Sequence, residues 1–248
     1  MTLSIDALTE RDIAKTIDHS LLRPELDDAF VEDGCRLAAR YDVASVCVRP
    51  ADVRRAAAIL DGADVAVGTT IGFPHGNHLT ATKVFEAERA LADGATELDM
   101  VLQIGALKAR RDDDVEADIR AVVETAHAGG AIVKVIFENA YLTDDEKIRA
   151  CRLTEAAGAE FVKTSTGFAP SGATHDDLRL MRAHTSPPTQ VKAAGGVRTL
   201  DALLEVMALG VTRIGATATA AIIDDFRARK SGATPASPAA ASTSEVGY

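Results

Sequence analysis

Five times along the chain an amphipathic stretch ends at a glycine, and a run of apolar and β-branched residues begins within a few positions. The junctions are Gly62-Ala63-Asp64-Val65, Gly94-Ala95-Thr96-Glu97, Gly129-Gly130-Ala131-Ile132, Gly158-Ala159-Glu160-Phe161 and Gly210-Val211-Thr212-Arg213. Glycine tolerates the left-handed backbone that commonly closes a helix, so each junction marks a helix end followed by a strand. Between junctions, Val84, Ala87 and Leu91 fall at i, i+3 and i+7, the spacing of one helix face. Strands are predicted at 16–20, 43–48, 65–71, 97–102, 132–137, 161–166, 190–193 and 213–216. Alternating strands and helices imply a parallel sheet. Eight repeats over residues 1–230 imply a single-domain (β/α)₈ barrel. The rival, a doubly wound open sheet, lacks its usual marks: no GxGxxG follows the first strand and no GxxxxGK[ST] occurs.

Residues 231–248 break the pattern. They are small, polar and interrupted by proline, with Tyr248 as their one aromatic, and are expected to form a disordered tail. Hydrophobic content of 47% with aromatics at 4% describes a core of Ala, Val, Ile and Leu. No apolar run reaches the ~18 residues of a membrane span, and no basic segment followed by an apolar one opens the sequence. A cytoplasmic protein without a membrane partner is expected. Cys35, Cys47 and Cys151 form no CxxC pair and read as free thiols, Cys47 as a core residue. A net charge of −10 argues against nucleic acid as a partner. The sequence leaves the assembly open, a homodimer being one expectation.

Charge inside the strand runs changes the picture. Lys163 lies in Phe161-Val162-Lys163-Thr164-Ser165-Thr166-Gly167, where a solvated ammonium is out of place. Burial penalises the charged form, and a neutral buried amine is a nucleophile able to form a Schiff base with a carbonyl. A lysine at a strand end that reaches back to water is the plain alternative. Its company favours the first reading. Asp99, Lys134 and Lys163 each stand five residues after Gly94, Gly129 and Gly158, so three successive units carry a charge at the equivalent strand position. Lys192 follows on the next strand, just before Gly195-Gly196. Inward-pointing residues at equivalent positions converge on a barrel axis. A buried ion network serving only the fold would often be replaceable by apolar residues, so four such charges point to a working site.

Two lysines on neighbouring strands disfavour each other's charge, which makes one a neutral amine and leaves the other cationic. The residues alone do not separate Lys163 from Lys192 in these roles. Asp99 is placed to carry a proton; Lys134 either contacts the substrate directly or balances Asp99, the supporting role being the favoured one. A sugar-phosphate isomerase or epimerase using Asp99 as base, or a non-catalytic phosphosugar-binding protein, would have no use for two facing amines.

The segments Glu97-Leu98-Asp99-Met100-Val101, Val162-Lys163-Thr164-Ser165-Thr166-Gly167-Phe168 and Val191-Lys192-Ala193-Ala194-Gly195-Gly196-Val197-Arg198-Thr199 closely resemble the deoxyribose-phosphate aldolases. So do Ile17-Asp18-His19-Ser20-Leu21-Leu22 and Gly72-Phe73-Pro74-His75-Gly76, the likeness running from about residue 13 to about 226. The resemblance implies a class I aldolase on a (β/α)₈ barrel, acting on a phosphosugar without metal or organic cofactor. It makes Lys163 the Schiff-base lysine, Lys192 its tuning neighbour and Asp99 the proton carrier, with Asp18 in support. Arg23 stands where the family usually has Lys, Gln103 where Asn is common, and Gly215-Ala216-Thr217-Ala218 lacks the usual serine.

Barrels commonly hold phosphate in the loops after strands 7 and 8 together with a helix N-terminus. Gly195, Gly196, Gly215 and Thr217 occupy those loops, and Gly167 follows strand 6. His75 and His78, with His19, form no convincing metal set, because no acidic ligand flanks the pair. Some relatives also end in tyrosine. Tyr248 is therefore expected either to reach the open mouth and assist proton exchange or to end an inert tail.

Overall fold

The structure, a computed structural model, describes residues 3–232. Tyr248 and the expected disorder beyond residue 232 lie outside the described residues. Eight parallel strands pair in chain order and the last closes on the first, giving a barrel. They are β1 (Ile17–Leu21), β2 (Ser45–Val48), β3 (Ala66–Ile71), β4 (Glu97–Val101), β5 (Ile132–Ile136), β6 (Phe161–Lys163), β7 (Gln190–Ala194) and β8 (Val211–Ala216). A short α1 (Glu10–Ala14) precedes β1; α2 (Asp28–Arg40), α3 (Val53–Ile59) and α4 (Thr80–Ala92) follow the first three strands. Two helices, α5 (Ile104–Lys108) and α6 (Asp112–Ala128), join β4 to β5. The ring is completed by α7 (Asp144–Ala157), α8 (His175–Ala183), α9 (Leu200–Ala208) and α10 (Thr219–Lys230). This is the expected (β/α)₈ architecture.

Local signals place the helix ends. In α7, Thr143 accepts from the Glu146 backbone N–H while the Glu146 side chain accepts from the Thr143 N–H, a reciprocal cap. The same helix closes at Gly158 with φ of +87°, where a Cβ would be strained. Alternation then divides the strands. Ile17, Val46, Val48, Leu98, Met100, Val133 and Val135 face the helices and form the continuous apolar core. The opposite residues face the axis, and many are polar or small.

Two expectations need correction. Within α4 the residues buried against the sheet are Lys83, Ala87 and Ala90, while Val84 and Leu91 are only half-buried. A lysine thus lies at the centre of a face predicted to be apolar. It is tolerated because its Nζ reaches Asp118 on α6 at 2.6 Å and the Val101 carbonyl at 2.8 Å. The second concerns level along the barrel. Asp99 pairs with Lys134 and Lys163 with Lys192, but Lys163 lies opposite Ile136 rather than Lys134. Closing a barrel staggers the strands, and the stagger lifts Lys163 one pleat nearer the mouth than counting from the glycines suggests.

Candidate active site

Small side chains make the interior roomy. Ser45, Gly68, Ala194 and Gly215 occupy axis-facing positions, and a Cβ on Gly215 would lie 3.9 Å from the Lys192 side chain. Four cationic and three acidic side chains fill the space. Asp99, fully buried, accepts from Lys163 Nζ and Lys192 Nζ at Oδ2, each at 2.7 Å, and from Lys134 Nζ at Oδ1, 3.0 Å away. Asp18 on β1 lies 2.5 Å from Lys192 Nζ and accepts from Arg213 on β8. Glu97, two residues below Asp99, accepts from Lys134 and from Arg213, each at 2.5 Å. Phe161 underlies both, with Lys134 Nζ 6.0 Å and the Arg213 guanidinium 5.8 Å from its ring centre.

The partners are unequally shared, and the two amines are shifted in opposite directions. Burial disfavours charge on both Lys163 and Lys192. For Lys192 the adjacent Asp18 and Asp99 outweigh burial, and its pKa rises. Lys163 has Asp99 alone, shared with two other ammonium groups; burial and the Lys192 charge hold its pKa below the ordinary lysine value. Asp99, despite its burial, is kept well below the usual carboxylate range by Lys134, Lys163 and Lys192. Lys134 is raised, burial being overcome by Asp99, Glu97 and Asp18. Of the two lysines, Lys163 is the one whose surroundings lower its pKa and Lys192 the one whose surroundings raise it.

Sequence reasoning passed over three participants. Glu97 and Arg213 stand at or near predicted strand starts, where charge ordinarily reaches solvent. Glu138, just after β5, has φ of +57° and is buried. Its carboxylate accepts from the Thr166 backbone N–H at 3.2 Å and from the Thr166 hydroxyl, pinning the segment that follows Lys163. That pin, with the Thr164 hydroxyl donating to the Ala194 carbonyl at 3.2 Å, ends β6 at Lys163 instead of residue 166. Burial raises the Glu138 pKa. Ser165 Oγ, two residues beyond Lys163, is buried without a hydrogen-bond partner. Cys47 also faces this interior, and burial with nearby Asp99 pushes its thiol up to about 11, so it rests protonated. The positive end of the signal for Glu138 would have been an acidic residue directly after a strand that already carries an inward lysine.

The mouth lies at the C-terminal ends of the strands. Gly167, Gly195 and Gly196 all have positive φ, of +89°, +77° and +96°. Gly172 packs so closely on Gly195 that a Cβ would come within 2.6 Å of its carbonyl oxygen, fixing the β6 and β7 loops together. Gly215 ends the axis-facing row of β8, and Thr217 is exposed beyond it. The N-terminus of α10 follows at once and has no side-chain cap, leaving its first N–H groups for another acceptor. A recess of about 240 Å³ beside the mouth is lined by Pro74, His75, Ile104, Glu138, Thr166 and Phe168. A larger cleft of about 890 Å³ lies on the helix side of β1, against Leu26, Leu37, Arg36 and Arg40, and meets the mouth through Thr217. The lysines do not line it. His19 faces away from the axis and bonds Thr219 at 2.9 Å, and no three His, Cys, Asp or Glu side chains group as metal ligands among the described residues. Arg23 pairs with Glu25, and Gln103 donates to Asp118 at 3.1 Å.

A family model described as DeoC/LacD family aldolase matches residues 13–228. The chain belongs to that family. It is 51% identical over 216 residues to the deoxyribose-phosphate aldolase of Rhodopirellula baltica, covering 87% of this chain and 90% of the relative. Against the deoxyribose-phosphate aldolase of Lysinibacillus sphaericus the identity is 49% over 215 residues, covering 87% and 96%. Among solved structures, the tetrameric deoxyribose phosphate aldolase of Aeropyrum pernix superposes with a TM-score of 0.83 at 28% identity, covering 91% of this chain and 95% of the other. Family membership makes the chain an aldolase, a lyase acting on carbon–carbon bonds. No described helix is long and apolar enough to cross a membrane.

Proposed function

We propose that this aldolase reversibly cleaves 2-deoxy-D-ribose 5-phosphate to D-glyceraldehyde 3-phosphate and acetaldehyde through a Schiff base on Lys163, in cytoplasmic deoxyribose catabolism. The observation that carries the reading is the unequal sharing of carboxylates. Lys163 alone among the four interior cations has a single acidic partner and a depressed pKa. Its neutral amine attacks C1 of the open-chain sugar; water leaves and a protonated imine forms. Asp99, 2.7 Å from Lys163 Nζ, takes the C3 hydroxyl proton directly or through one water. The C2–C3 bond breaks, its electrons enter the imine as an enamine, and glyceraldehyde 3-phosphate departs. Protonation at C2 and hydrolysis release acetaldehyde and restore the amine. The imine itself stores the electrons, so the route calls for no metal or organic cofactor.

Lys192 supports the cycle as a fixed cation beside Lys163, and Asp18 holds Lys192. Lys134 keeps Asp99 ionised. The substrate phosphate fits the uncapped N-terminus of α10 together with Gly167, Gly195, Gly196, Gly215 and Thr217, where backbone N–H groups can approach an anion. The names of the relatives support the choice of sugar phosphate. The test is acetaldehyde release from 2-deoxyribose 5-phosphate. Wild-type protein should release it with and without EDTA, and Lys163→Met should lose about three orders of magnitude or more. Turnover that survives in Lys163→Met, or that needs added metal after chelation, would refute the proposal.

A further inference from the structure

Beneath the Lys163 amine lies a second tier of charge, Glu97 and Arg213, that makes no ion pair with Lys163. Arg213 donates to Asp18 and, at 2.5 Å, to Glu97; Glu97 in turn accepts from Lys134 at 2.5 Å. Asp18 reaches Lys192, and Lys134 reaches Asp99, so both arms of this tier end on groups that contact or flank Lys163. Glu97 is buried, and the Arg213 side chain is only 15% exposed, so water screens them little.

We propose that Glu97 and Arg213 are positioning residues that set, through the net charge of the barrel interior, the pH at which Lys163 becomes a nucleophile. Every strand's contribution enters the count. The charged or titratable groups facing Lys163 are Asp18 on β1, Cys47 on β2, Glu97 and Asp99 on β4, Lys134 on β5, Glu138 just beyond it, Lys192 on β7 and Arg213 on β8. The axis-facing Gly68 and Thr70 of β3 do not titrate. Cys47 is held protonated; Glu138 accepts from Thr166 and also interacts with Lys163, while burial raises its pKa. Four cations and three carboxylates make up the ion-paired network, and the cation with fewest acidic partners in it gives up its proton most readily. Lys163 is that cation. Removing a carboxylate from the lower tier makes the interior more positive and must lower the Lys163 pKa; removing the guanidinium makes it more negative and must raise that pKa. The size is on the order of one pH unit for a buried charge acting at second-neighbour range.

The inference rests on Lys163 being the nucleophile proposed above, but its test does not require turnover. Reductive methylation with formaldehyde and cyanoborohydride is followed across pH, with Lys163 modification quantified by peptide mapping. Glu97→Gln should shift the half-modification pH of Lys163 down, Arg213→Met should shift it up, and the double variant should return close to wild type. Arg213→Lys, which keeps the charge, should stay near wild type. Damage to packing alone would move both single variants in one direction. Shifts of the same sign, or no shift in folded Glu97→Gln, overturn the proposal. If Arg213→Met does not fold, Glu97→Gln alone decides by the sign of its shift. Failure of the cleavage assay would be a separate result, bearing on the reaction and not on this charge control.

Discussion

Asp99 is bonded by three ammonium groups at once, which makes it the residue whose replacement has the most separable consequences. Asn at this position keeps the shape but removes the one negative charge that Lys163 owns. The loss should lower the Lys163 pKa further, so the amine stays available while the proton acceptor is gone. Asp99→Asn is therefore expected to form the imine with acetaldehyde yet cleave substrate about 10²–10⁴-fold more slowly. It should also unfold more readily, because breaking a buried ion pair costs about 3–5 kcal/mol. Absence of imine in a folded Asp99→Asn protein would show that Asp99 acts before bond cleavage. The charges of the upper tier were readable from sequence because each interrupts an apolar strand run. Glu97, Arg213 and Glu138 were not, because charge at a strand boundary looks solvated until the three-dimensional partner is known. Glu138 finds its partner Thr166 28 residues away.

At the level of elements, all eight strands were legible, five of them from the helix–glycine–strand pattern, with no boundary displaced by more than three residues. The orientation of α4 was not. Its apolar residues pointed to one face, and a buried ion pair chose another: Lys83 sits with Asp118, which also accepts from Thr80 at 2.8 Å and Gln103 at 3.1 Å. This cluster ties α4 and α6 to the end of β4, directly behind the strand that carries Asp99. Burial lowers the Lys83 pKa, Asp118 opposing. Lys83→Met leaves Asp118 as an unpaired buried carboxylate and should cost about 3–5 kcal/mol in urea unfolding. Adding Asp118→Leu should recover a large part of that loss, since the penalty belongs to the orphaned charge. If the double variant is no more stable than Lys83→Met, the ion pair is not what orders this face.

For the whole molecule, barrel closure was legible and strand stagger was not, because stagger is set by how the sheet joins its own edge. The folded barrel also imposes a pH dependence through His19. Burial depresses its pKa from an ordinary 6.5 to about 4. The unfolded chain therefore takes up this proton before the folded one does. The stabilisation is complete above pH 6.5 and is lost as pH falls towards 4, a span worth about 3 kcal/mol. Urea midpoints should fall through that window, and His19→Gln should flatten the slope; equal slopes would remove His19 from the account. In the proposed function the arrangement presents Lys163 as a nucleophilic amine inside a charged barrel. Borohydride added with 2-deoxyribose 5-phosphate or acetaldehyde should reduce the imine and attach the corresponding mass to the peptide carrying Lys163. A label on Lys134 or Lys192 instead, or no label on protein that is turning over substrate, would contradict the account.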